Sequence, residues 1–570
     1  MKRLLALAAL IFATPALSAT YYVDCAASND KGAGTSPETA WQTIDRVNRS
    51  KFKPGDSMLL KRGCTWREQL GVIWSGSAGS PITFGAYGSG AAPVLDGSDL
   101  ITPGSPWAAT PSTASVVYHR SGVTTGPKVV LYNGTKLTEN NGATTGVGSN
   151  EWDWDSNVLY INVGGDPSGG TVEIGQRDYV VWIGSYSYVV LDGLSVRGAN
   201  LEDVHIEGTH ITVQNCEASN SALHGLIMAS TSADNLITGC NIHDNGQING
   251  EGSGVLIWKD AATSGHENVI SHNSIYDNSQ FGIYVVSNYC IIEHNHVYDN
   301  GNTTQMCSGI EIWNGDNDGY AQHNSVRYNL VSGQESGYTD GEGIFLDDYS
   351  ANNTVCYNLV YGCRASGIAT LGSNHDLICN NTLYGNGTGG ASADRAAGIS
   401  VGASGNGAVN NITITNNVVY ANQTGSYAVY MDSGSYNSSG LIITNNDWYS
   451  TQANWYYWNN AGGNIPAVWN ALTGVGTDLN RDPLFTNAAS DDFTLHPDSP
   501  CIDAGADLGP SYSTALIPGA SWPQNVLTGD QYKTGRWWEI GAFLFPEGRP
   551  STPPPTPAPT PTVRKHLPKR

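Results

Sequence analysis

A short strand-like phrase recurs eight times between His224 and Asp432 and constrains the fold more than any other feature of the chain. Each copy opens with a glycine, in one case an alanine, followed by alternating apolar residues, as in SGVLIW from Ser253 and SGIEIW from Ser308. A second phrase, rich in Asn and Tyr, lies between the copies, as in NSIYDN from Asn273. Repeats this short, built from strands and turns, are typical of a solenoid.

The distance between copies indicates which kind of solenoid this is. The interval is 22 residues from Asn273 to Asn295 and 23 from Asn358 to Asn381, and it grows to 36 from Asn381 to Asn417. A minimum near 22 with variable additions fits a parallel β-helix, in which each coil supplies short strands and extra residues form outer loops. The sequence therefore predicts an all-β parallel β-helix solenoid.

Segments outside the repeats resemble a known family. The stretches YYVDCAASNDKGAGTSPETAWQTIDRVN, KPGDSMLLKRGCTW and PITFGAYGSGAAPVLDGS near the N-terminus, with DPLFTNAASDDFTLHPDSPCIDAGADLG and WWEIGAF near the C-terminus, are similar to secreted bacterial proteins of the pectate-lyase-like superfamily. The resemblance implies a right-handed parallel β-helix with an N-terminal cap and a closing segment. That superfamily contains lyases, hydrolases, epimerases and non-catalytic adhesins, so the resemblance specifies the fold and not the substrate.

Composition along the chain predicts six regions. A secretory signal peptide is expected first, because Lys2 and Arg3 precede an apolar run and small residues up to Ala19 offer a cleavage site. The regions are a signal peptide at 1–19, an N-terminal cap with the first coils at 20–100, a β-rich insertion at 101–178, β-helix repeats at 179–460, a closing segment at 461–547 and a Pro/Thr-rich basic tail at 548–570. We therefore expect a secreted protein, extracellular or periplasmic.

Net charge and cysteine content limit the partners. A net charge of −23 argues against nucleic acid and against an anionic membrane surface. No stretch beyond the signal could span a bilayer, and we expect a monomer that binds a polysaccharide or oligosaccharide. Among the ten cysteines, Cys25 and Cys64 are the predicted disulfide pair. Cys356 and Cys379 share a repeat position, and we expect them to form a reduced or apolar core ladder, the more common outcome of such stacking.

The phase of the repeat strands sorts the side chains into two faces. Residues one and three after the repeat glycine are almost all apolar and point into the core, so residues two and four point outward. The outward positions include Trp258, Tyr284, Trp313 and Phe345. Aromatic rings in a line stack on sugar rings, unless a loop such as Asn314 to Gln322 folds over them. We therefore predict a saccharide-binding groove on this sheet.

Two carboxylates stand within the predicted groove on successive coils. Glu311 and Asp347 differ by one coil and two residues along the strand, which predicts a separation of about 8 Å between their Cβ atoms. Hydrolysis of a glycosidic bond uses two carboxyl groups at about this distance. Glu342 lies nearby and would raise the pKa of the acid by like-charge repulsion. We predict that Glu311 is the general acid and Asp347 the nucleophile or base, without a cofactor.

Two alternatives remain open at this stage. A polysaccharide lyase would remove a proton from a uronate with a Lys or Arg base, for which Lys259 and Arg364 at the groove are candidates. Such a lyase would also use a cation, and Asp316 and Asp318 are candidate Ca²⁺ ligands in a loop of hard oxygen donors. The second alternative is a surface protein that binds saccharide without catalysis. The acidic pair disfavours it, because a neutral sugar platform needs no carboxylates.

Overall fold

The computed structural model describes residues 18–545 except 111–115, 141–145, 230, 247–250, 302–305, 337–338, 391–394, 403–408, 433–438, 459–460, 467–468, 471–476 and 535–536. The tail at 548–570 and nearly all of the predicted signal peptide at 1–19 therefore lie outside the described residues. Within the described part, three long sheets run side by side, and each coil contributes one strand to each of them. The fold is a right-handed parallel β-helix, which confirms the predicted fold class.

The first sheet has 13 parallel strands. They are Thr20–Val23, Ser57–Lys61, Ile82–Tyr87, Ser187–Asp192, Thr209–Gln214, Leu236–Thr238, Val269–Ser271, Ile291–Glu293, Ser325–Arg327, Thr354–Cys356, Leu377–Cys379, Thr413–Thr415 and Ile442–Thr444. The second sheet also has 13 strands, and only its last pairing is antiparallel. They are Leu70–Val72, Tyr179–Ile183, Glu202–Ile206, His224–Ala229, Val255–Trp258, Ile283–Val286, Ser308–Ile312, Glu342–Leu346, Ile368–Leu371, Ala397–Gly402, Tyr427–Met431, Tyr456–Trp458 and Ala461–Gly463.

The third sheet has 12 parallel strands and completes each coil. They are Thr65–Trp66, Val94–Asp96, Ser195–Arg197, Glu217–Ser219, Asn241–His243, Ser274–Tyr276, His296–Tyr298, Leu330–Ser332, Leu359–Tyr361, Thr382–Tyr384, Val418–Ala421 and Asp447–Ser450. Helices within the described residues are short. They are the α-helices Ile44–Asn48 and Gln531–Thr534 and the 3₁₀ turns Pro37–Thr39, Pro167–Gly169, Ala488–Ser490 and Pro510–Tyr512. None of the described helices has the length and apolar character needed to cross a membrane.

The core is an apolar ladder that runs along the solenoid axis. The residues directly after the repeat glycines pair in register from coil to coil and are fully buried, as predicted: Ile283, Ile310, Ile344, Ile368 and Ile399. Each inward side chain therefore packs between copies of itself at strand spacing. Because both neighbours are apolar, this packing excludes water from the interior and stabilises the stack of coils.

Buried asparagines form a second ladder at the turn between the first and third sheets. Their side-chain Nδ2 groups donate to the Oδ1 of the next coil at 2.9 to 3.0 Å, and the members are Asn273, Asn295, Asn329, Asn358, Asn381, Asn417 and Asn446. The Oδ1 atoms also accept the backbone N–H of the preceding coil's asparagine. This arrangement satisfies polar groups that would otherwise be costly to bury. It explains why Asn opens the second repeat phrase.

Two smaller sheets lie between the first coils and the repeats. One consists of Ser98–Ile101, Val130–Tyr132, Thr135–Lys136 and Val172–Gly175, and the other of Ala108–Ala109, Tyr118–Ser121, Thr138–Glu139, Glu151–Asp155 and Val158–Asn162. Arg197 of the third sheet donates to Asp96 at 2.8 Å and to Glu173 of the small sheet at 3.0 Å. Arg67 also pairs with both carboxylates. This buried ion network fixes the insertion to the solenoid.

The C-terminal segment packs on the outside of the first and third sheets. It contains the strand pairs Phe485–Asn487 with Asp492–Leu495 and Thr514–Leu516 with Thr528–Asp530. Cys25 and Cys64 form the predicted disulfide. The expectation for Cys356 and Cys379 is wrong, because they form a disulfide on the outer face, beneath this segment. They pair in register on adjacent strands, and their Cα atoms are 4.6 Å apart, within reach of a disulfide.

Candidate functional site

The candidate site lies on the outer face of the second sheet. Glu311 stands in the middle of the strand Ser308–Ile312, in register with Tyr284 on one side and Phe345 on the other. Since side chains alternate along a strand, the inward Ile310 and Ile312 force Glu311 outward. The local sequence of each repeat thus positions one acid between two aromatic rings.

Glu311 is almost completely buried, with 3% of its surface exposed. Ser308 Oγ donates a hydrogen bond to its Oε2 at 3.1 Å. Burial raises the pKa of Glu311 well above its ordinary value, and the negative charges of Asp347 and Glu342 raise it further. These surroundings favour the protonated form of the Glu311 carboxyl group, which suits a general acid.

Asp347 follows the strand Glu342–Leu346 and is also buried, with 6% of its surface exposed. Its backbone N–H donates to the carbonyl of Ile312 at 2.8 Å, which places it one coil from the strand of Glu311. Burial raises the pKa of Asp347 to about 7, and the charge of Asp348 adds to this, whereas Arg395 acts in the opposite direction. A group with this pKa is partly ionised at neutral pH and can act as a base or nucleophile.

Arg395 approaches the site because of a glycine on the outer face. A Cβ at Gly402 would lie 2.9 Å from the Arg395 Nε and 3.2 Å from an Asp432 carboxylate oxygen. The missing side chain at Gly402 thus leaves the space in which the guanidinium lies. The positive charge of Arg395 stabilises the ionised form of Asp347 and lowers its pKa.

The aromatic row is less open than the sequence suggested. Trp258 is 37% exposed, whereas Tyr284 and Trp313 are half-buried and Phe345 is buried. The ring centroids of Tyr284 and Trp313 are 6.1 Å apart, and the Trp313 ring folds back over Gly315, where a Cβ would collide with it. Trp258, Tyr284 and Trp313 therefore keep some exposed ring surface, whereas the buried ring of Phe345 lies beside Glu311.

Both carboxylates of the loop after Trp313 form ion pairs with Lys259 while remaining exposed to solvent. Lys259 Nζ lies 2.7 Å from Asp316 and 2.6 Å from Asp318, and these contacts raise the pKa of Lys259. Both predicted calcium ligands thus face an ammonium group. Two monodentate carboxylates already paired with a lysine do not fit a Ca²⁺ site, which takes six to eight oxygen ligands.

Arg364 and Glu342 lie at the strand ends beside the acidic pair. Glu342 is buried, pairs in register with Ser308 and accepts the backbone N–H of Gly341 at 3.1 Å. Arg364 is half-buried in the turn before the next strand, and its Cβ lies close to Gly341. The structure thus brings Glu342 to Glu311, whereas Lys259 is engaged by the loop.

Sequence reasoning missed two contributors to the site. Ser308 donates a hydrogen bond to the acid, and the charge of Arg395 lowers the pKa of Asp347. The one available signal was Gly402, which occupies the outward strand position that Leu371 and Asp432 fill in the two neighbouring repeats. A glycine at an outward position of a β-strand indicates that another group lies over the sheet there.

Comparison with known proteins supports the fold. Residues 171–333 match the family model described as the right handed beta helix region. The crystal structure of pectate lyase Pel9A aligns over 93% of this chain and 96% of its own, with 15% identity and a TM-score of 0.43. The lacto-N-biosidase of Eubacterium ramulus, from family GH136, aligns over 78% of this chain and 66% of its own, with 14% identity and a TM-score of 0.40. At these identities and TM-scores, the two likenesses carry no argument about this chain, and the family model alone supports the fold.

One curated relative shares local sequence. The lacto-N-biosidase of Bifidobacterium longum subsp. longum is 40% identical over 79 residues, which are 13% of this chain. The match spans only 5% of the length of that relative. The family-model match and the three parallel sheets confirm the right-handed parallel β-helix expected from the sequence, and the secreted location stays a prediction.

Proposed function

We propose that this protein is a carbohydrate-active enzyme that hydrolyses a glycosidic bond in an oligosaccharide or polysaccharide. The observation that carries the proposal is the pair of buried carboxyl groups, Glu311 and Asp347, on adjacent coils of one sheet. Glu311 would protonate the leaving oxygen, and Asp347 would attack the sugar or activate water. The raised pKa of Glu311 and the neighbouring Arg395 charge support this division of roles.

A relative supports hydrolysis over elimination. The curated protein with the shared segment is named as a lacto-N-biosidase, which is a glycosidase. Lyase chemistry would need a neutral base, but the two aspartates that contact Lys259 raise its pKa and keep it protonated. Elimination with Lys259 and calcium thus has less support than acid–base hydrolysis.

The decisive experiment measures two products on a panel of neutral and uronate-containing saccharides. We expect wild-type protein to release reducing ends without absorbance from an unsaturated uronate. Glu311→Gln and Asp347→Asn keep the side-chain shape, so each should lower kcat by about 10²- to 10⁴-fold while the melting temperature stays nearly unchanged. Asp277→Asn, an exposed turn residue on the third sheet, is the matched control and should keep full activity.

The same assay identifies the alternatives. If both amide variants keep wild-type activity while Arg364→Ala or Lys259→Ala abolishes it, hydrolysis by the acidic pair is wrong. Formation of an unsaturated uronate would then establish the lyase. Binding of a saccharide without either product would indicate a non-catalytic protein.

A further inference from the structure

A concave surface lies on the third sheet, away from the acidic pair. It is a cavity of about 210 Å³ between the outer face of the sheet and the C-terminal segment. Six residues line it: Tyr384, Tyr420, Asp482, Leu484, Phe485 and Ala488. Asp482 and Leu484 are exposed, so the cavity opens to solvent at the side of the C-terminal segment.

Three aromatic rings form walls of the cavity, and one of them, Tyr384, also packs against Phe493 with centroids 4.9 Å apart. At the equivalent strand position of two earlier coils, Tyr276 and Tyr298 stack with ring centroids 4.8 Å apart and planes at 10°. At the cavity, Tyr384 and Tyr420 are tilted by 34° at 5.0 Å. Phe485 stays 6.1 Å from Tyr384 and 6.3 Å from Tyr420. The tyrosine rings are therefore less parallel at the cavity, and they border a space instead of filling it.

The rim combines a carboxylate with a strained backbone. Leu484 adopts φ of 52°, a left-handed conformation that is unfavourable for leucine, and it is 38% exposed. Its N–H donates to Asp482 Oδ1 at 2.9 Å, which fixes the carboxylate at the mouth. A structure that holds a leucine in this conformation at the edge of a cavity maintains the shape of that edge against local strain.

We propose that this cavity is an accessory binding site for one neutral pyranose ring. The choice of a sugar rests on the proposed function, and the site is distinct from the catalytic one. Tyrosine rings offer an apolar surface for the C–H face of a pyranose, and the Asp482 carboxylate accepts hydrogen bonds from its hydroxyl groups. A cavity of 210 Å³ is smaller than the roughly 300 to 1,000 Å³ of pockets for larger ligands, so it suits a single ring. The carboxylate repels a uronate.

Binding to the full chain carrying Glu311→Gln tests the proposal without turnover. D-galactose and N-acetyl-D-glucosamine are titrated separately and followed by saturation-transfer NMR and calorimetry, with benzylamine as a cationic aromatic probe. We expect at least one sugar to bind with a millimolar Kd. Adding Ala488→Phe fills the cavity and should weaken binding at least about tenfold. Ala489→Phe, on the exposed side of the same 3₁₀ turn, should leave it unchanged.

Several outcomes overturn the proposal. They are absence of binding by either sugar, equal binding by the Ala488→Phe variant, and tighter binding of benzylamine than of both sugars. If Ala488→Phe lowers the melting temperature, Asp482→Asn decides instead, because this exposed change keeps the fold and should weaken sugar binding severalfold. Hydrolysis by an Ala488→Phe variant with Glu311 intact reports on the proposed function separately.

Discussion

Glu311 and Asp347 are both acidic residues of one sheet, yet their surroundings act on them to different extents. Both are desolvated, but Glu311 also lies among three other carboxylates, whereas Asp347 has the Arg395 guanidinium nearby. These surroundings favour the protonated form of Glu311, whereas Asp347, with a pKa of about 7, is partly ionised at neutral pH. Two carboxyl groups with pKa values driven apart by their surroundings are what an acid–base pair requires.

The first prediction is a bell-shaped dependence of kcat/KM on pH. Activity should fall below pH about 7 as Asp347 becomes protonated, and fall again at higher pH as Glu311 loses its proton. Asp348→Asn removes a negative charge that raises the pKa of Asp347, so it should move the acidic limb to lower pH. A profile in which the variant's acidic limb stays in place, or moves upward, contradicts the assignment of Asp347.

The second prediction concerns the glycine beneath Arg395. Gly402→Ala places a methyl group where the guanidinium lies and should displace it. Because Arg395 lowers the pKa of Asp347, its displacement should move the acidic limb to higher pH, opposite to Asp348→Asn. Gly165→Ala is the control, since a Cβ there meets nothing within 4 Å. If Gly402→Ala reduces kcat at every pH without moving the limb, Arg395 has only a structural role.

Among the structural elements, the asparagine ladders show how one side-chain type can stabilise many coils. A parallel ladder contains Asn324 and Asn353, whose side chains bond at 3.1 Å, and its next position is Asp376. Asp376 accepts the Asn353 N–H at 2.8 Å but is a carboxyl group with 1% of its surface exposed. Burial raises the pKa of Asp376 from 3.8 to about 7.

The third prediction is that Asp376→Asn stabilises the protein at alkaline pH. In the folded state the raised pKa favours the protonated acid, so wild-type stability falls as pH rises from about 4 to about 7 and stays lowered above that. The amide cannot ionise. At pH 8 the free energy of unfolding of the variant should therefore be about 1 to 3 kcal/mol higher than that of the wild-type protein. Denaturant unfolding at pH 5 and pH 8 measures the difference. Asn353→Asp should have the opposite effect, and equal pH dependence in all three proteins would refute the argument.

Short-range patterns in the chain explain which features were predictable. The repeat glycines and the alternation around Ile283, Ile310 and Ile344 specified the core ladder, since a side chain's face depends only on its position in the strand. The same rule identified Glu311 as outward. Burial of Phe345, the Lys259 ion pairs and the Cys356–Cys379 disulfide depend on chain segments distant in sequence or on the register between coils. No local pattern contains that information.

For the whole molecule, the C-terminal segment links coils that a simple solenoid leaves independent. In a repeat protein each coil contacts only its neighbours, and stability is nearly a sum over adjacent pairs. Here the hydroxyl of Tyr328 donates to the carbonyl of Thr514 at 2.9 Å. The backbone N–H of Gly541 donates to the carbonyl of Asn416 at 2.7 Å. The segment thus spans several coils on the side away from the acidic pair.

The last prediction tests this link at Phe493. Its buried ring contacts Tyr361 and Tyr384 on adjacent coils, with centroids 5.2 and 4.9 Å away. Phe493→Ala should lower the free energy of unfolding by about 3 to 5 kcal/mol. Because the lost contacts join coils, hydrogen exchange should accelerate together in the strands of both tyrosines and in the C-terminal segment, but not in the first coils. Phe281→Ala is the control, because it removes a ring of the same size beside the second sheet. If Phe281→Ala accelerates hydrogen exchange in the C-terminal segment as much as Phe493→Ala does, the segment does not couple the coils.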